Sequence, residues 1–454
     1  MLRKTIGEIA EGYTCLGDPK YNKELITKIS YDSRQVDGET IFVPIIGEHF
    51  NAHQFVGDVL EKTDCKVCFI SQFVDYAGDK VLITCADNVQ AVQELAKKER
   101  ARIHVPVIGV TGSVGKTTTR EMIAAALRGG KKVFSTARNQ NSQIGVAKTL
   151  CEFDEDAEIA VLELGVSMPG EMRKITELAL PEAVVFTNIG VTHIENLGSR
   201  EGILAEKMHI TDFLPKGSYV FLNHDNDLLR DCTLREGLIR YNIGTTPDCD
   251  AYAEDIDCSD GCPTFTAHIG DQTVPVKLGV YGKHQVFNAM AALALADHYG
   301  VDLARAAESL KQFNGFAHRQ QIFRTERFTV IDDSYNAAPD SMKAAIGMLS
   351  DIPCKGKRIA VLADMRELGE ISEEAHREIG KYIREIGVVD RVITLGDWTK
   401  YIDEETETTH FAFDEREKME DAIDGLVGAG DVILFKGSNT IRLFDSAARL
   451  LEKG

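Results

Sequence analysis

The sequence lacks any run approaching the ~20 consecutive apolar residues that a membrane-spanning helix requires, which excludes a helical membrane protein and makes a soluble one the expectation. Positive charge is scarce: 51 Lys and Arg stand against 71 Asp and Glu, a formal net charge of -20. A phosphate backbone is held by a basic stripe that replaces its counterions, so no nucleic-acid partner is expected, and any anionic ligand must be met by a local cluster of positive groups. The ten cysteines are scattered singly, as in a reduced compartment, rather than arranged as a disulfide framework. Cys65 and Cys68, and Cys258 and Cys262, are pairs without a second pair at zinc-site spacing, so no structural zinc is expected at either. The first residues, MLRKTIGEIAEGYTC, run into Glu8 and Glu11 without the apolar core of a secretory signal, and a cytoplasmic location is expected. Internal repeats and low-complexity segments are also missing.

What the chain has is length and alternation. Its 454 residues exceed what one hydrophobic core holds, and three domains are expected, at 1–100, 101–314 and 315–454. From residue 101, short β-branched runs alternate with helical patterns: VPVIGV (105–110), KVFST (132–136), EIAVLELG (158–165), AVVFTNIG (183–190) and YVFLN (219–223). That rhythm belongs to a parallel sheet wrapped by helices. The first segment mixes short strands with helices and ends in a charged helical stretch, VQAVQELAKKERAR, leading to Pro106. After residue 314 a second series, FTVIDDSY, RIAVLADM, RVITLG and DVILFKGS, predicts a smaller doubly wound domain. The fold class is therefore α/β.

The sharpest motif follows Val107-Ile108-Gly109-Val110-Thr111. Gly112-Ser113-Val114-Gly115-Lys116-Thr117-Thr118 is a glycine-rich turn between a strand and a helix start. Glycines let the backbone wrap a phosphate, the helix N-terminus aims N–H groups at it, Lys116 adds a full charge, and the Thr117 hydroxyl suits Mg²⁺. Valine stands at position 110, where the usual pattern has its first glycine. The competing reading, a turn that merely caps a helix, leaves the lysine and the two threonines without a purpose.

Three residues further on are ambiguous when taken singly. Glu163 ends an apolar strand and His193 follows another, and strand C-termini are where a doubly wound sheet gathers ligands. A glutamate after a strand is more often a solvated loop residue, and a lone histidine more often structural. Lys207, in Ile203-Leu204-Ala205-Glu206-Lys207-Met208, reads by itself as an exposed helix lysine.

Taken in order, these blocks resemble the Mur ligase family over nearly the whole chain. Asp32-Ser33-Arg34 with Ile41-Phe42-Val43-Pro44 and Gly47 looks like its uridine-binding N-terminal domain, and Thr136 to Gly145, with Asn139 and Asn141, like the segment meeting the muramoyl-peptide. Gly282-Lys283-His284-Gln285-Val286-Phe287-Asn288-Ala289 resembles the adenine-side helix, His284 and Asn288 lying four apart, hence on one face. Arg319, after Gly315 and His318, matches an arginine that contacts nucleotide at the start of the third domain. Asp332-Asp333-Ser334-Tyr335-Asn336, Leu362-Ala363-Asp364-Met365-Arg366-Glu367-Leu368-Gly369 with His376, and Phe435-Lys436-Gly437-Ser438 look like the D-alanyl-D-alanine-adding branch. The Asp-Asn-Pro-Arg signature of the diaminopimelate-adding branch is not visible. Two departures stand out: Met208 and His209 replace the glycine and glutamate that follow the family's modified lysine, and Asn439 replaces an arginine that often follows Lys-Gly-Ser.

The resemblance implies three domains: an α/β UDP-binding domain, a central parallel-sheet ATPase domain carrying the phosphate loop, and a Rossmann-like C-terminal domain. It implies ATP and Mg²⁺, with Lys116, Glu163, His193 and Lys207 catalytic and Thr117, Glu163, His193 and a carbamylated Lys207 as metal ligands. Nucleotide would meet residues 112–118, His284, Asn288, Arg319 and Asp333. UDP-N-acetylmuramoyl-tripeptide and D-alanyl-D-alanine would meet Ser33, Arg34, Gly47, Thr136, Asn139, Asn141, Asn336, Lys436 and Ser438. The chain would act as a monomer, and the C-terminal domain would close over the nucleotide to keep water from an acyl phosphate. Alternatives are another ligase of the superfamily (diaminopimelate- or lysine-adding, or folylpolyglutamate synthase-like), a P-loop ATPase driving a partner, and a non-catalytic binding protein on the same scaffold.

Overall fold

The structure, a computed structural model, describes residues 2–47, 50–137, 139–259 and 261–454. The chain forms two compact units, one comprising Met1–Gly109, Lys132–Val166 and Arg173–Pro181, the other Val110–Lys131, Ser167–Met172 and Glu182–Gly454.

In the first unit a five-stranded sheet runs in the order Thr14–Leu16, Val81–Thr84, Val67–Ile70, Thr40–Phe42, Lys28–Ser30. All neighbours are parallel except Thr14–Leu16, which pairs antiparallel on the edge. The strands Thr40–Phe42 and Val67–Ile70 are buried at every position, as parallel strands covered on both faces should be. Cys65 and Cys68 pack in this core with Phe42, Val56 and Leu82. The helix Asn88–Arg100 matches the charged stretch read from sequence. Asp87 caps it by accepting from the Val89 and Gln90 N–H groups, and Ala91, Val92, Leu95 and Ala96 form its buried stripe. Arg100 at its end donates to the carbonyls of Ala179 and Leu180 at 2.7 and 2.9 Å. This unit also holds the parallel pair Val133–Ser135 and Ile159–Glu163.

In the second unit the phosphate-loop turn opens helix α1 (Lys116–Leu127). Strand β1 (Ala183–Phe186) is followed by helix α2 (Arg200–Met208), strand β2 (Tyr219–Asn223) and strand β3 (Ile239–Gly244), the three strands being parallel in succession. Three more strands extend this sheet. Ala251–Asp257 is parallel to β3, and Thr264–Ile269 and Gln272–Lys277 form an antiparallel hairpin across Gly270-Asp271. The hairpin breaks the strand-helix alternation read from sequence, and Gly270, at φ +54°, allows its two-residue turn. Helix α3 (Gln285–His298) is buried almost throughout.

The C-terminal sheet of this unit has six strands: Gln321–Arg324, β4 (Thr329–Asp332), then in chain order β5 (Arg358–Ala363), β6 (Arg391–Leu395), the strand Thr409–Phe413 and β7 (Val432–Lys436). Spatially β7 lies between β4 and β5, and all pairs are parallel except Gln321–Arg324 with β4. Alternate residues feed opposite layers. Ile331, Ala360, Leu362, Val392 and Leu434 pack under Met342, Ile346, Ile379 and Ile383, while Val330, Ile359, Val361, Ile393 and Ile433 pack under Met419, Ile423, Leu443 and Leu450. The period of two in the strands and of 3.6 in the helices produces the doubly wound architecture expected from sequence. No helix among the described residues is long and apolar enough to cross a membrane.

Candidate active site

The phosphate loop is shaped by two glycines that other residues could not replace. Gly112 has φ +149° and Gly115 φ +84°; a Cβ on Gly112 would lie 2.0 Å from Thr187 Oγ1. Immediately after β1, Thr187 and Asn188 back the loop. The Asn188 carbonyl accepts from Ser113 N–H at 2.9 Å, its side-chain oxygen accepts from Val114 N–H at 2.8 Å, and Thr187 Oγ1 donates to the Val114 carbonyl at 2.5 Å. Gly190 N–H donates to Ser113 Oγ at 3.0 Å. Lys116 folds over the loop, donating to the carbonyls of Gly112 and Ser113 at 2.8 and 3.1 Å.

Lys207, on the last turn of α2, is not an exposed helix lysine: it is 1 % exposed, and its Nζ has no hydrogen-bond partner among the described residues. Burial pushes its pKa well below the lysine value of 10.5, and the Lys116 ammonium pushes the same way. Both effects favour the neutral amine, which is the nucleophilic form of a lysine. Its neighbour Glu206 is occupied elsewhere, accepting from the Gly170 and Met172 N–H groups at 2.8 Å each, at the start of the helix Glu171–Ala179.

His193 has a left-handed backbone, φ 65°, and its Nδ1 lies 2.5 Å from Oε2 of Glu367, itself at φ 64°. His193 holds the Glu367 carboxyl below the usual glutamate range. Positive φ at two non-glycine residues that meet marks stored backbone strain.

At the start of α3, Asn288 is buried, close to Thr119 Oγ1 at 2.8 Å, and donates to Gln285 at 2.8 Å. His284 precedes the helix; its Nε2 lies 3.0 Å from Gln320 Oε1, which also accepts from Gln285 at 2.7 Å. The Arg319 guanidinium lies over the Tyr335 ring, its Cζ 4.2 Å from the centroid. Asp333 accepts from Lys436 Nζ at 2.6 Å and from Gln320 N–H at 3.2 Å. Lys436 is 2 % exposed and also donates to the Asn336 carbonyl at 3.1 Å. Burial lowers its pKa against the pull of Asp333. Ser438 is buried and accepts from Arg366 N–H at 2.9 Å, and the Asn336 side chain is exposed. His376 is a core residue: its Nε2 accepts from Met365 N–H at 3.0 Å and its Nδ1 donates to the Ser372 carbonyl at 2.6 Å.

The first unit gathers its own set. Glu163, 1 % exposed, accepts from Asn141 Nδ2 at 2.6 Å, its N–H donates to Thr136 Oγ1 at 3.0 Å, and Asn141 also donates to Asn139 at 3.0 Å. Four residues singled out from two separate sequence blocks thus converge.

Comparison with known proteins decides the affiliation. The Mur ligase middle domain matches residues 110–296, and the Mur ligase, glutamate ligase domain matches residues 318–439. The UDP-N-acetylmuramoyl-tripeptide--D-alanyl-D-alanine ligase of Bacillus subtilis is 34% identical over 463 residues, covering 100% of this chain and 99% of that protein. The chain belongs to the Mur ligase family. Two solved structures extend the likeness. MurF from Acinetobacter baumannii has a TM-score of 0.87 at 27% identity over 99% of both chains, and MurF from Thermotoga maritima, in complex with ADP, 0.80 at 27% identity over 94% of this chain and 97% of that one. The three-domain Mur ligase fold is shared with them.

In this Mur ligase the N-terminal residues read from sequence lie on turns of the first unit. Arg34 is exposed and forks onto Asp32, Nε to Oδ1 at 2.8 Å and Nη2 to Oδ2 at 2.7 Å, holding that carboxyl at about 2. Ser33 is half-buried between them, and Gly47 N–H donates to the Phe50 carbonyl at 2.8 Å. Arg138 lies outside the described residues. Sequence reasoning missed Thr187, Asn188, Gln320 and Glu367 as site residues. The Thr-Asn directly after an apolar strand was the available signal for the first two; Glu367 lies inside the 362–369 block already singled out, and Gln320 carries no signal.

Proposed function

We propose that this Mur ligase joins D-alanyl-D-alanine to UDP-N-acetylmuramoyl-tripeptide, consuming ATP, as a monomer in the cytoplasm, with domains at 1–100, 101–314 and 315–454. The observation that carries the chemistry is the pairing, within one compact unit, of a phosphate loop bearing Lys116 with a buried Lys207 whose pKa burial lowers. The similarity over essentially the full length to the Bacillus subtilis ligase carries the choice of substrates.

A carboxylate resists attack by an amine because its oxygen leaves poorly. The γ-phosphoryl passes from ATP to the terminal carboxylate of the tripeptide; the dipeptide's amine then attacks the acyl phosphate and phosphate departs, leaving ADP and the pentapeptide. Loop N–H groups and Lys116 hold the β- and γ-phosphates. Asn288 and His284 border the adenine side, and Arg319 stands on Tyr335 near the phosphates. Lys436 acts through Asp333 and the Asn336 carbonyl, shaping the 333–336 loop, and Ser438 holds the 364–366 turn. Ser33, Arg34 and Gly47 receive the uridine end, and Thr136, Asn139 and Asn141 the muramoyl-peptide.

The donor chemistry fits Mg²⁺, a hard ion that takes oxygen ligands. Thr117, His193 and Lys207 would be its donors in the second unit. Lys207 becomes an oxygen donor by carbamylation: its neutral amine adds CO₂, forming an N–C bond and releasing one proton. Mg²⁺, when bound, neutralises phosphate charge during transfer.

Phosphate release from ATP should depend on UDP-N-acetylmuramoyl-tripeptide and D-alanyl-D-alanine together, with a UDP-linked pentapeptide seen by mass. Release indifferent to the dipeptide would overturn the choice of amine. Lys116→Ala should lower turnover by about two to three orders of magnitude, as loss of a transition-state contact does, with an unchanged circular dichroism spectrum.

A further inference from the structure

Away from the phosphate loop, at the C-terminal ends of β2 and β3, three potential metal ligands meet. His224 directly follows β2, and Asp248 and Cys249 lie on the loop after β3; one ligand atom from each falls within 4.8 Å of the other two. His224 Nε2 and Asp248 Oδ2 are 3.4 Å apart. This is the one such grouping found among the described residues, and neither Cys65 with Cys68 nor Cys258 with Cys262 belongs to it.

Two independent features indicate that the grouping is built around something. His224 Nδ1 is buried with no hydrogen-bond partner among the described residues, a ring nitrogen open to a metal ion. Gly244, the last residue of β3, has no room for a side chain: a Cβ there would lie 2.9 Å from Cys249 Sγ, 2.9 Å from Asp225 Oδ1 and 3.3 Å from His224 Cβ. The strand end is bare because donors close over it. Backbone hydrogen bonds fix two of the three ligands, His224 N–H to the Ile243 carbonyl at 2.8 Å and Cys249 N–H to the Thr246 carbonyl at 3.2 Å.

We infer that His224, Asp248 and Cys249 form a structural zinc site that clamps the loops following β2 and β3. The donor set of imidazole, carboxylate and thiolate is that of Zn²⁺; Mg²⁺ would not choose a thiolate. Ligands about 2.0–2.3 Å from a tetrahedral ion sit roughly 3.5 Å from one another. The three donor atoms lie within 4.8 Å of one another, about 1 Å beyond that separation at most. Small side-chain rotations supply the remaining closure, the Asp248 side chain being 68% exposed. A water would complete the tetrahedron, and binding would release the Cys249 thiol proton. Asp225 stays outside the ligand set, its Oδ1 accepting from Thr245 N–H and Oγ1 at 3.2 Å each.

The clamp bears on the phosphate loop through two asparagines. Asn223 Nδ2 donates to the Thr187 carbonyl at 2.7 Å and Asn226 Nδ2 to the Ile189 carbonyl at 3.3 Å, so the loop that zinc would stiffen supports the segment behind Ser113 and Val114.

The full chain, stripped with chelator, should take up one zinc per molecule, retained on gel filtration and measured by elemental analysis, with a rise in melting temperature. Cobalt in its place should give a thiolate-to-metal absorption band. Cys249→Ser should abolish the band and the tightly held zinc. Asp248→Asn, at an exposed position, should weaken zinc binding at least about tenfold, the lower end for disturbing even outer partners of a metal. Both variants should retain ATP turnover in zinc-free buffer. Substoichiometric zinc in the parent chain, or an undiminished band in Cys249→Ser, overturns the assignment. Should Cys249→Ser fail to fold, unchanged affinity in Asp248→Asn overturns it equally.

Discussion

Among single residues Lys207 departs furthest from what its local sequence suggests, and two predictions belong to it. Lys207→Ala should be inactive, because no carboxylate-like oxygen can form at that position, and short-chain carboxylic acids should restore part of the turnover by occupying the space. Labelled CO₂ should give a carbamate carbon signal in the parent and none in the variant; absence of both signal and rescue would sink carbamylation. The second prediction concerns stability against pH in CO₂-free buffer. In the unfolded chain Lys207 holds its proton up to about 10.5, whereas burial makes the folded chain release it earlier. Between the two values the unfolded state binds more protons, so stability gained from this group rises with pH, by at most ~1.4 kcal/mol per pH unit, and is lost as pH falls through the folded value. Lys207→Met removes the linkage. Chemical denaturation of the two proteins across pH should therefore diverge in slope; parallel curves would mean that the amine stays charged.

Among elements, strands and their flanking helices were legible because burial imposes period on sequence: the buried runs at 159–163 and 183–186 and the alternation in β4 to β7 are direct readings of which face meets a helix. The edge hairpin at 264–277 was not, since its half-exposed strands carry a weaker pattern and it interrupts an established alternation. The phosphate loop was legible because its chemistry is local, with glycine, lysine and threonine at fixed spacing. The Thr187-Asn188 backing and the His193–Glu367 contact were not, since these contacts join residues more than 70 positions apart. A family resemblance pointed to Asp333 and Lys436, but only structure reveals them as a buried pair, Lys436 2 % and Asp333 8 % exposed by side chain. That pair fastens β7 to the loop after β4. Asp333→Ala leaves a buried ammonium without its counter-charge and should cost about 3–5 kcal/mol in urea denaturation, whereas a change below ~1 kcal/mol would show that Lys436 simply sheds its proton.

At the scale of the molecule, the second unit combines the phosphate loop, α3 and the C-terminal sheet in one compact body. Polar contacts join its central and C-terminal portions where the nucleotide is expected: His193 with Glu367, and His284 and Gln285 with Gln320. Gln320 is informative because one side-chain oxygen serves two donors of the adenine-side helix while its own backbone N–H donates to Asp333. Its backbone is left-handed, φ 52°, so its position is enforced by surroundings rather than preferred. Truncation to alanine deletes both side-chain contacts but keeps the backbone bond. At roughly 0.5–1.5 kcal/mol per hydrogen bond, the loss is about 1–3 kcal/mol, equivalent to between about fivefold and a hundredfold in an equilibrium constant. If the contacts hold the helix start in its nucleotide-binding geometry, Gln320→Ala should weaken ATP binding within that range in titration calorimetry while the melting temperature barely moves. An unchanged ATP affinity with a lowered melting temperature would make Gln320 a strut of the fold alone, and the two portions would then meet without regard to the nucleotide.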